Sequence, residues 1–215
     1  MRMKDYAQRE GKRVWLSEDE IGMLLESYKT NDPEQIAASI LMARCGLRRN
    51  EVIHVTPADM VSTDHGRIIR VRMAKGDKYR EVFAPGSLTD LVLGMDRAPD
   101  APLVSVATST LYDWTARAAE RCYSYTNDVG WLEVGPHDLR RSWGVRLLES
   151  GVSPAVVMDL GGWEDWETFR NHYLGEFSTQ ALRRERDKIP WLGGRPSDTS
   201  YELWNRRESG VVHRG

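Results

Sequence analysis

The segment between Pro136 and Gly151 constrains the fold most strongly, because it combines clear helix boundaries with two opposed faces. A proline at the first helical position and a glycine after the last apolar residue are typical start and stop signals. At helical spacing, Leu139, Trp143 and Leu147 share one stripe and predict a core-facing side. The opposite arc carries His137, Arg140, Arg141 and Gly144. We therefore predict an amphipathic helix over 136–149 that packs against other helices.

The charged arc begins at the N-terminal end of this predicted helix. Unpaired backbone N–H groups point outward at such an end and favour an anion. A His and an Arg on the same arc strengthen that preference. The alternative is an ordinary solvated face with a His near the helix cap. The helix alone does not decide between these two interpretations.

Patterns elsewhere predict a mainly α-helical domain with a small antiparallel β-sheet, an α+β arrangement. Ser17 and Glu20 form a capping box that starts a helix over 17–29, and Pro33 starts a second helix that stops at Gly46. The stretch from Val61 to Ala84 alternates with period two and predicts the sheet, with a turn at Gly76-Asp77. Further predicted helices lie near 87–94, 109–124, 153–160, 165–173 and 177–188.

The length of 215 residues is enough for one main domain with one sizeable core, which we place over 15–190. Residues 1–14 are polar and basic without apolar periodicity and predict a flexible N-terminal arm. The segment 191–215 is rich in glycine, serine and charges. It predicts a flexible or partner-docking C-terminal tail.

Several classes of protein are disfavoured by the composition. No apolar run approaches the length of a membrane span, and the N-terminus lacks the apolar stretch of a signal peptide, so we expect a cytoplasmic protein without a membrane partner. Cys45 and Cys122 lack the paired spacing of a zinc site and predict small core residues. We expect neither a metal nor another cofactor.

The net charge of −2 is unfavourable for a nucleic-acid-binding protein, because phosphate neutralisation usually leaves a basic footprint. However, 24 of the 30 basic residues are arginines. The guanidinium forks onto phosphate oxygens, whereas a lysine acts as a point charge. The local arrangement of the arginines therefore matters more than the total charge.

Four short segments carry the candidate chemistry, in a fixed order along the chain. They are Gly46-Leu-Arg-Arg-Asn-Glu51, Lys75-Gly-Asp-Lys78, His137-Asp-Leu-Arg-Arg141, and Leu160-Gly-Gly-Trp163 followed by Tyr173. This ordered set resembles the tyrosine recombinase (phage integrase) family. That family has a Gly-Leu-Arg-x-x-Glu box, a lysine on a β-hairpin, a His-x-Leu-Arg-Arg box, and a Leu-Gly-His/Trp segment that ends in a nucleophilic tyrosine.

The resemblance implies a tyrosine recombinase catalytic-domain fold and an enzyme that cleaves and rejoins DNA through a covalent 3′-phosphotyrosine intermediate. It implies the catalytic residues Arg48, Lys75, His137, Arg140, Trp163 and Tyr173. Glu51 would be the carboxylate that supports Arg48, and His172 would have a supporting or DNA-contacting role. Further DNA contacts are expected from Arg49, Lys78 and Arg141. The expected partners are double-stranded DNA, further copies of the chain as a dimer or tetramer, and an accessory protein.

Physical chemistry supports these roles independently. Attack on a phosphodiester concentrates charge on the nonbridging oxygens, which Arg48 and Arg140 can hold in fixed geometry. The 5′-oxygen leaves well only when protonated, so Lys75 is the expected general acid, with Lys78 as the substitute. A tyrosine phenol has a pKa near 10 and needs nearby positive charge or a proton acceptor. His137 is the candidate for that assistance.

Two of these residues have alternative interpretations. Trp163 is either a donor of its indole N–H to a phosphate oxygen or a buried core residue. Tyr173 is preferred as the nucleophile because the other tyrosines lack its flanking pattern, and Tyr112 is expected to pack in the core. Trp163 and Tyr173 are ten positions apart, one more than the usual nine in the family.

The resemblance covers roughly 15–190, the catalytic domain without the additional N-terminal helical domain that clamps DNA in most members of the family. The leading hypothesis is a site-specific recombinase or integrase, and a topoisomerase-type nicking and resealing enzyme would use the same site. The alternative from another class is a DNA-binding regulator or accessory protein that retains the fold without full recombination activity. The hypothesis of an all-helical interaction module requires that the four ordered motif matches arose by chance.

Overall fold

The computed structural model describes residues 1–6, 10–28, 32–72, 79–173 and 179–189. The chain divides into two units, Met1–Gly175 and Glu176–Gly215. The domain boundaries predicted at 15–190 and 191–215 stay predictions. Among the described helices, none combines the length and apolarity that crossing a bilayer requires.

Helices make up most of the first unit. They are α1 (Glu18–Glu26), α2 (Pro33–Ala43), α3 (Arg49–Val52), α4 (Gly86–Gly94), α5 (Thr108–Thr126), α6 (Pro136–Glu149), α7 (Pro154–Gly161) and α8 (Trp166–Tyr173). In the second unit, α9 (Thr179–Asp187) forms within the helix predicted near 177–188. The short α3 was not predicted, because four residues are too few to show a helical period.

Two small antiparallel sheets accompany the helices, where the sequence predicted one. The first pairs β1 (Arg2–Asp5) with β2 (Lys12–Trp15), and the second has the strand order β3 (Met60–Thr63), β4 (Gly66–Val71), β5 (Arg80–Phe83). The predicted alternation over 61–84 corresponds to the second sheet. The mainly helical fold with small antiparallel sheets is therefore confirmed. The turn predicted at Gly76-Asp77 lies outside the described residues.

The prediction of a flexible arm over residues 1–14 is corrected by the first sheet. Val14 in β2 is fully buried, and its N–H donates to the Asp138 carboxylate at 3.1 Å. The N–H of Leu16 donates to the Ser142 hydroxyl at 2.8 Å. These contacts join β2 to α6 across more than a hundred residues of sequence. Local periodicity could not reveal them, because the partners of the hairpin come from the far half of the chain.

Helix α6 has the predicted boundaries but not the predicted faces. From Asp138 to Val145 every residue of α6 is buried, on the charged arc as well as on the apolar stripe. The strand β2 and the helices α2, α7 and α8 all pack against it. In the second arginine segment, His137–Arg141, the residues from Asp138 onward therefore lie in the interior of the unit. His137, near the start of α6, is exposed.

The core has a main cluster and a smaller one. The main cluster joins residues of α1, α2, β4, α5 and α6, including Ile21, Leu41, Ile69, Leu111 and Leu139. It also contains Cys45 and Cys122, which are free thiols and buried, as predicted. The smaller cluster consists of Val145, Val157 and Phe169, with Trp163 packed against it.

Docking of the N-terminal hairpin is tested by a pair of substitutions in β2. Val14→Ala removes two buried methyl groups and should lower the free energy of unfolding by about 1.5–3 kcal/mol. Lys12→Ala, at an exposed position of the same strand, should change it by less than about 0.5 kcal/mol. Urea unfolding measures both. Equal, near-zero effects would mean that the segment is a free arm.

Candidate active site

The first of the four segments, Gly46–Glu51, which we call the first arginine segment, is organised around the carboxylate of Glu51. This residue is 2% exposed. Its Oε2 accepts the backbone N–H of Arg48 at 2.6 Å, and its Oε1 accepts the Arg48 guanidinium at 2.7 Å. The guanidinium of Arg80 forks onto the same two oxygens at 2.8 and 2.7 Å. Glu51 thus binds both the backbone and the guanidinium of Arg48.

The surroundings of Glu51 keep it ionised. Burial alone would raise its pKa, but the ion pair with Arg80 and the hydrogen bonds from Arg48 outweigh burial and lower the pKa to about 2. A buried carboxylate is tolerated when its lone pairs are matched by donors. The four hydrogen bonds to Glu51 meet that condition.

The second arginine, Arg140 on α6, is 1% exposed and lies on a framework of backbone and aromatic groups. One terminal nitrogen of its guanidinium donates to the carbonyl of Gly46 and the other to the carbonyl of Gly161. Its Cζ lies 4.3 Å from the ring centroid of Trp163, within cation–π range. These contacts fix the plane of the guanidinium.

Two glycines allow tryptophan rings to approach this framework. A Cβ at Gly46 would overlap the ring of Trp143, and a Cβ at Gly161 would overlap the ring of Trp163. The two rings also stack on each other, with centroids 6.1 Å apart. The glycines that accept hydrogen bonds from Arg140 are therefore also the ones that the tryptophans cover.

The C-terminal end of α7 is a meeting point of three arginines. Gly162 has the left-handed φ of 63° and closes the helix, and the N–H of Trp163 turns back to the carbonyl of Met158 at 2.9 Å. Three consecutive carbonyls at this end accept guanidinium N–H groups. The pairs are Arg80 Nε to Leu160 at 3.0 Å, Arg140 to Gly161, and Arg48 to Gly162 at 3.0 Å.

A cleft of about 710 Å³ opens beside these groups. It brings together the two arginine segments. The first contributes Arg48, Arg49 and Glu51 to the lining of the cleft, and the second contributes His137 and Arg140. Other walls come from the N-terminal hairpin and from α5. They include Tyr6, Lys12 and Tyr112, and Glu133 lines the cleft from the segment between α5 and α6. The cleft has both polar and apolar walls, and two of its arginines, Arg48 and Arg140, are held by hydrogen bonds, an arrangement suited to an anion.

The remaining predicted site residues fall partly outside what the structure describes. Lys75 and Lys78 lie outside the described residues. His172 and Tyr173 are the last two residues of α8, and their side chains also lie outside the described part of the chain. Trp163 is half-buried, so its ring both packs against the smaller core cluster and contacts Arg140.

The two arginines predicted to contact DNA have different positions. Arg49 is exposed and lines the cleft. Arg141 is 2% exposed, ion-pairs with Asp138, and donates to the hydroxyl of Tyr6 at 3.3 Å. The prediction of a DNA contact for Arg141 is therefore corrected, because its guanidinium joins α6 to the N-terminal hairpin and does not face solvent.

Sequence reasoning missed Arg80 and misplaced Tyr112. In β5, Arg80 and Val82 point to the same buried side, so a charge in phase with an apolar residue was the available signal of a buried ion pair. Tyr112, expected in the core, is 53% exposed and lines the cleft. In the described residues, no group of three or more His, Cys, Asp or Glu side chains is arranged to hold a metal ion.

Residues 14–179 match the model of the Phage integrase family. The chain is 26% identical over 156 residues to a tyrosine recombinase of Thermosipho africanus, covering 69% of this chain and 52% of that protein. It is therefore similar to proteins of which it spans about half the length.

Solved structures show the same likeness. The crystal structure of XerA recombinase is 26% identical, with a TM-score of 0.62, and the match covers 81% of this chain and 64% of that one. The XerH site-specific recombinase bound to its difH substrate shares the fold, with 19% identity, a TM-score of 0.59, and coverage of 80% and 53%.

Stability of the Glu51 cluster should depend on pH. Because the folded pKa of Glu51 is lowered to about 2, its stabilising contribution is present above its ordinary pKa near 4.5 and is lost as the pH falls toward 2. Glu51→Gln should lower the free energy of unfolding by roughly 2–4 kcal/mol at pH 7. The difference in the free energy of unfolding between Glu51→Gln and the wild type should decrease as the pH falls from 4.5 to 2.

Urea unfolding at pH 7, 5 and 3 measures this change. Glu34→Gln is the matched control, because Glu34 forms a partly exposed ion pair with Arg97 and should contribute less than about 1 kcal/mol. A Glu51→Gln deficit that stays constant with pH would contradict the assignment of a low pKa to Glu51.

Proposed function

We propose that this chain, which belongs to the phage integrase family, cleaves and rejoins DNA strands through a covalent 3′-phosphotyrosine intermediate. The observation that carries the proposal is the cleft in which Arg48, His137 and Arg140 converge from distant parts of the sequence. Family membership supplies the type of reaction, since the relatives described above are tyrosine recombinases.

In this proposal the two arginines bind the scissile phosphate. Arg48 and Arg140 are each fixed by hydrogen bonds before any substrate arrives. Preorganised donors stabilise developing charge on the nonbridging oxygens without reorganisation during the reaction. Trp163 orients Arg140 through its ring, and its indole N–H is proposed as a further donor to the phosphate.

Tyr173 is the proposed nucleophile. Its phenolic oxygen forms a bond to phosphorus at the 3′ side, the bond from phosphorus to the 5′-oxygen breaks, and the DNA strand leaves with a free 5′-hydroxyl. His137 assists by accepting the phenolic proton, and Lys75 donates a proton to the leaving oxygen. Rejoining reverses these steps, so the energy of the broken bond is kept in the protein–DNA link.

Double-stranded DNA is the proposed substrate. The XerH structure contains its difH substrate, and its fold is that of this chain. Arg49 and the N-terminal hairpin residue Lys12 supply further positive charge at the cleft. Lys78 is a proposed DNA contact and His172 a supporting residue beside Tyr173. Assembly of two or four copies on DNA and help from an accessory protein complete the proposal.

A tyrosine scan identifies the nucleophile. A nicked suicide DNA substrate, which loses a short fragment after cleavage, should trap a covalent adduct with the wild type and none with Tyr173→Phe. DNA binding should be retained, because one hydroxyl is removed. Tyr112→Phe is the matched control, since Tyr112 is exposed in the same cleft.

Denaturing gel electrophoresis measures the amount of covalent protein–DNA adduct. If Tyr112→Phe loses the adduct and Tyr173→Phe retains it, the nucleophile is Tyr112 and not Tyr173. DNA binding by the wild type without any adduct, on substrates that contain its own target site, would favour the alternative of a DNA-binding regulator with this fold.

The general acid is tested with a substrate whose 5′-bridging oxygen is replaced by sulfur. A thiolate leaves without protonation, so this substrate should restore cleavage by Lys75→Ala, which should be about 10²–10⁴-fold slow on ordinary DNA. Lys78→Ala is the control, with slow cleavage that sulfur does not restore. Rescue of Lys78→Ala alone would assign the proton donor to Lys78.

A further inference from the structure

We propose that Arg80 is a positioning residue that keeps the surroundings of Arg48 positively charged by offsetting Glu51, and that it locks Arg48 to the end of α7. This inference rests on the proposed function, because it assigns Arg80 a part in presenting Arg48 to the scissile phosphate. Arg80 does not line the cleft, which makes its action indirect.

The geometry around Glu51 gives the first support. Arg80 is buried and uses both terminal nitrogens on the two Glu51 oxygens, at 2.8 and 2.7 Å. Its third nitrogen, Nε, donates to the carbonyl of Leu160 at 3.0 Å. One rigid guanidinium therefore connects β5, α3 and α7. A lysine has no planar fork and cannot satisfy all three acceptors from one fixed plane.

Charge gives the second support. Glu51 also binds the Arg48 guanidinium, at 2.7 Å, and a carboxylate that close cancels most of the attraction between Arg48 and a phosphate. With Arg80 present, the three side chains carry a net charge of +1. Without Arg80 they would be neutral. The arrangement lets Glu51 orient Arg48 while Arg80 offsets the negative charge of Glu51.

The packing of Arg80 against the α7 end gives the third support. A Cβ at Gly162 would lie 3.1 Å from the Arg80 Cδ, so the Arg80 side chain lies directly under the turn that precedes Trp163. The carbonyl of Gly162 accepts Arg48, at 3.0 Å. Arg80 thus packs against the same turn whose carbonyl binds Arg48.

A double-mutant cycle separates the role of the charge from that of simple packing. Arg80→Met leaves Glu51 to cancel Arg48, and single-turnover cleavage of the nicked suicide DNA at saturating concentration should slow by about 10²-fold or more. Adding Glu51→Gln removes the negative charge as well, and cleavage should recover at least tenfold. A purely structural role predicts further loss in the double variant.

Two further variants are measured beside the cycle. Arg80→Lys keeps the charge but loses the fork, and it should cleave faster than Arg80→Met and slower than the wild type. Arg97→Met is the matched control, because Arg97 ion-pairs with Glu34 and does not line the cleft. Its cleavage rate should equal that of the wild type. Rates are taken below each variant's melting temperature, and Arg80→Gln, which also removes the charge, serves in place of Arg80→Met if the latter does not fold.

Binding of inorganic phosphate, followed by NMR titration, provides a readout that needs no DNA cleavage. Arg80→Met should weaken phosphate binding at least fivefold, and Arg80→Met with Glu51→Gln should restore it. Wild-type phosphate affinity in Arg80→Met, or a double variant no better than the single one, would overturn the proposal for Arg80. Absence of an adduct in the wild type would instead overturn the proposed function, and phosphate binding would still judge Arg80.

Discussion

The positions of the arginines in the site depend on the C-terminal end of α7, where their guanidiniums bind backbone carbonyls. A helix ends with carbonyls that have no partner within the helix and that carry the negative end of its dipole. Here three consecutive carbonyls, from Leu160 to Gly162, are bound by three guanidiniums. Each guanidinium comes from a different element, β5, α6 or the residue before α3. Pairing of these carbonyls thus brings together side chains that are far apart in sequence.

Small residues make this junction possible. Gly162 takes the left-handed conformation that ends α7, and Gly161 leaves room for the ring of Trp163. Gly46 has the same function under Trp143 at the end of α2. The carbonyls of Gly46 and Gly161 both accept hydrogen bonds from Arg140. Glycine therefore acts here by allowing close approach of rings and guanidiniums to the backbone.

Two buried carboxylates offset part of the positive charge at the junction. Glu51 compensates Arg48 and Arg80, and Asp138 compensates Arg141. Such pairs cost desolvation free energy and are kept only with good hydrogen-bond geometry. They also make the site rigid, because a fork on a carboxylate or on two carbonyls fixes the plane of a guanidinium. Rigid donors are what stabilisation of a developing charge requires.

The sequence by itself determined the local elements and the chemical residue types. Proline and glycine punctuation gave the boundaries of α6 as Pro136–Glu149, and alternation located the second sheet, because both signals act within a few residues. The motif order identified Arg48, Glu51, His137 and Arg140, which the cleft brings together.

Only the tertiary structure decided which charges are inside. Arg141 looked like a surface residue, yet β2 covers it, and residues 1–14 looked like an arm, yet their partners lie on α6. Arg80 gained its role from Glu51 and Leu160, which are distant in sequence. Periodicity reports which residues share a face of one element. It does not report which other element will cover that face, because that depends on contacts between segments far apart in the chain.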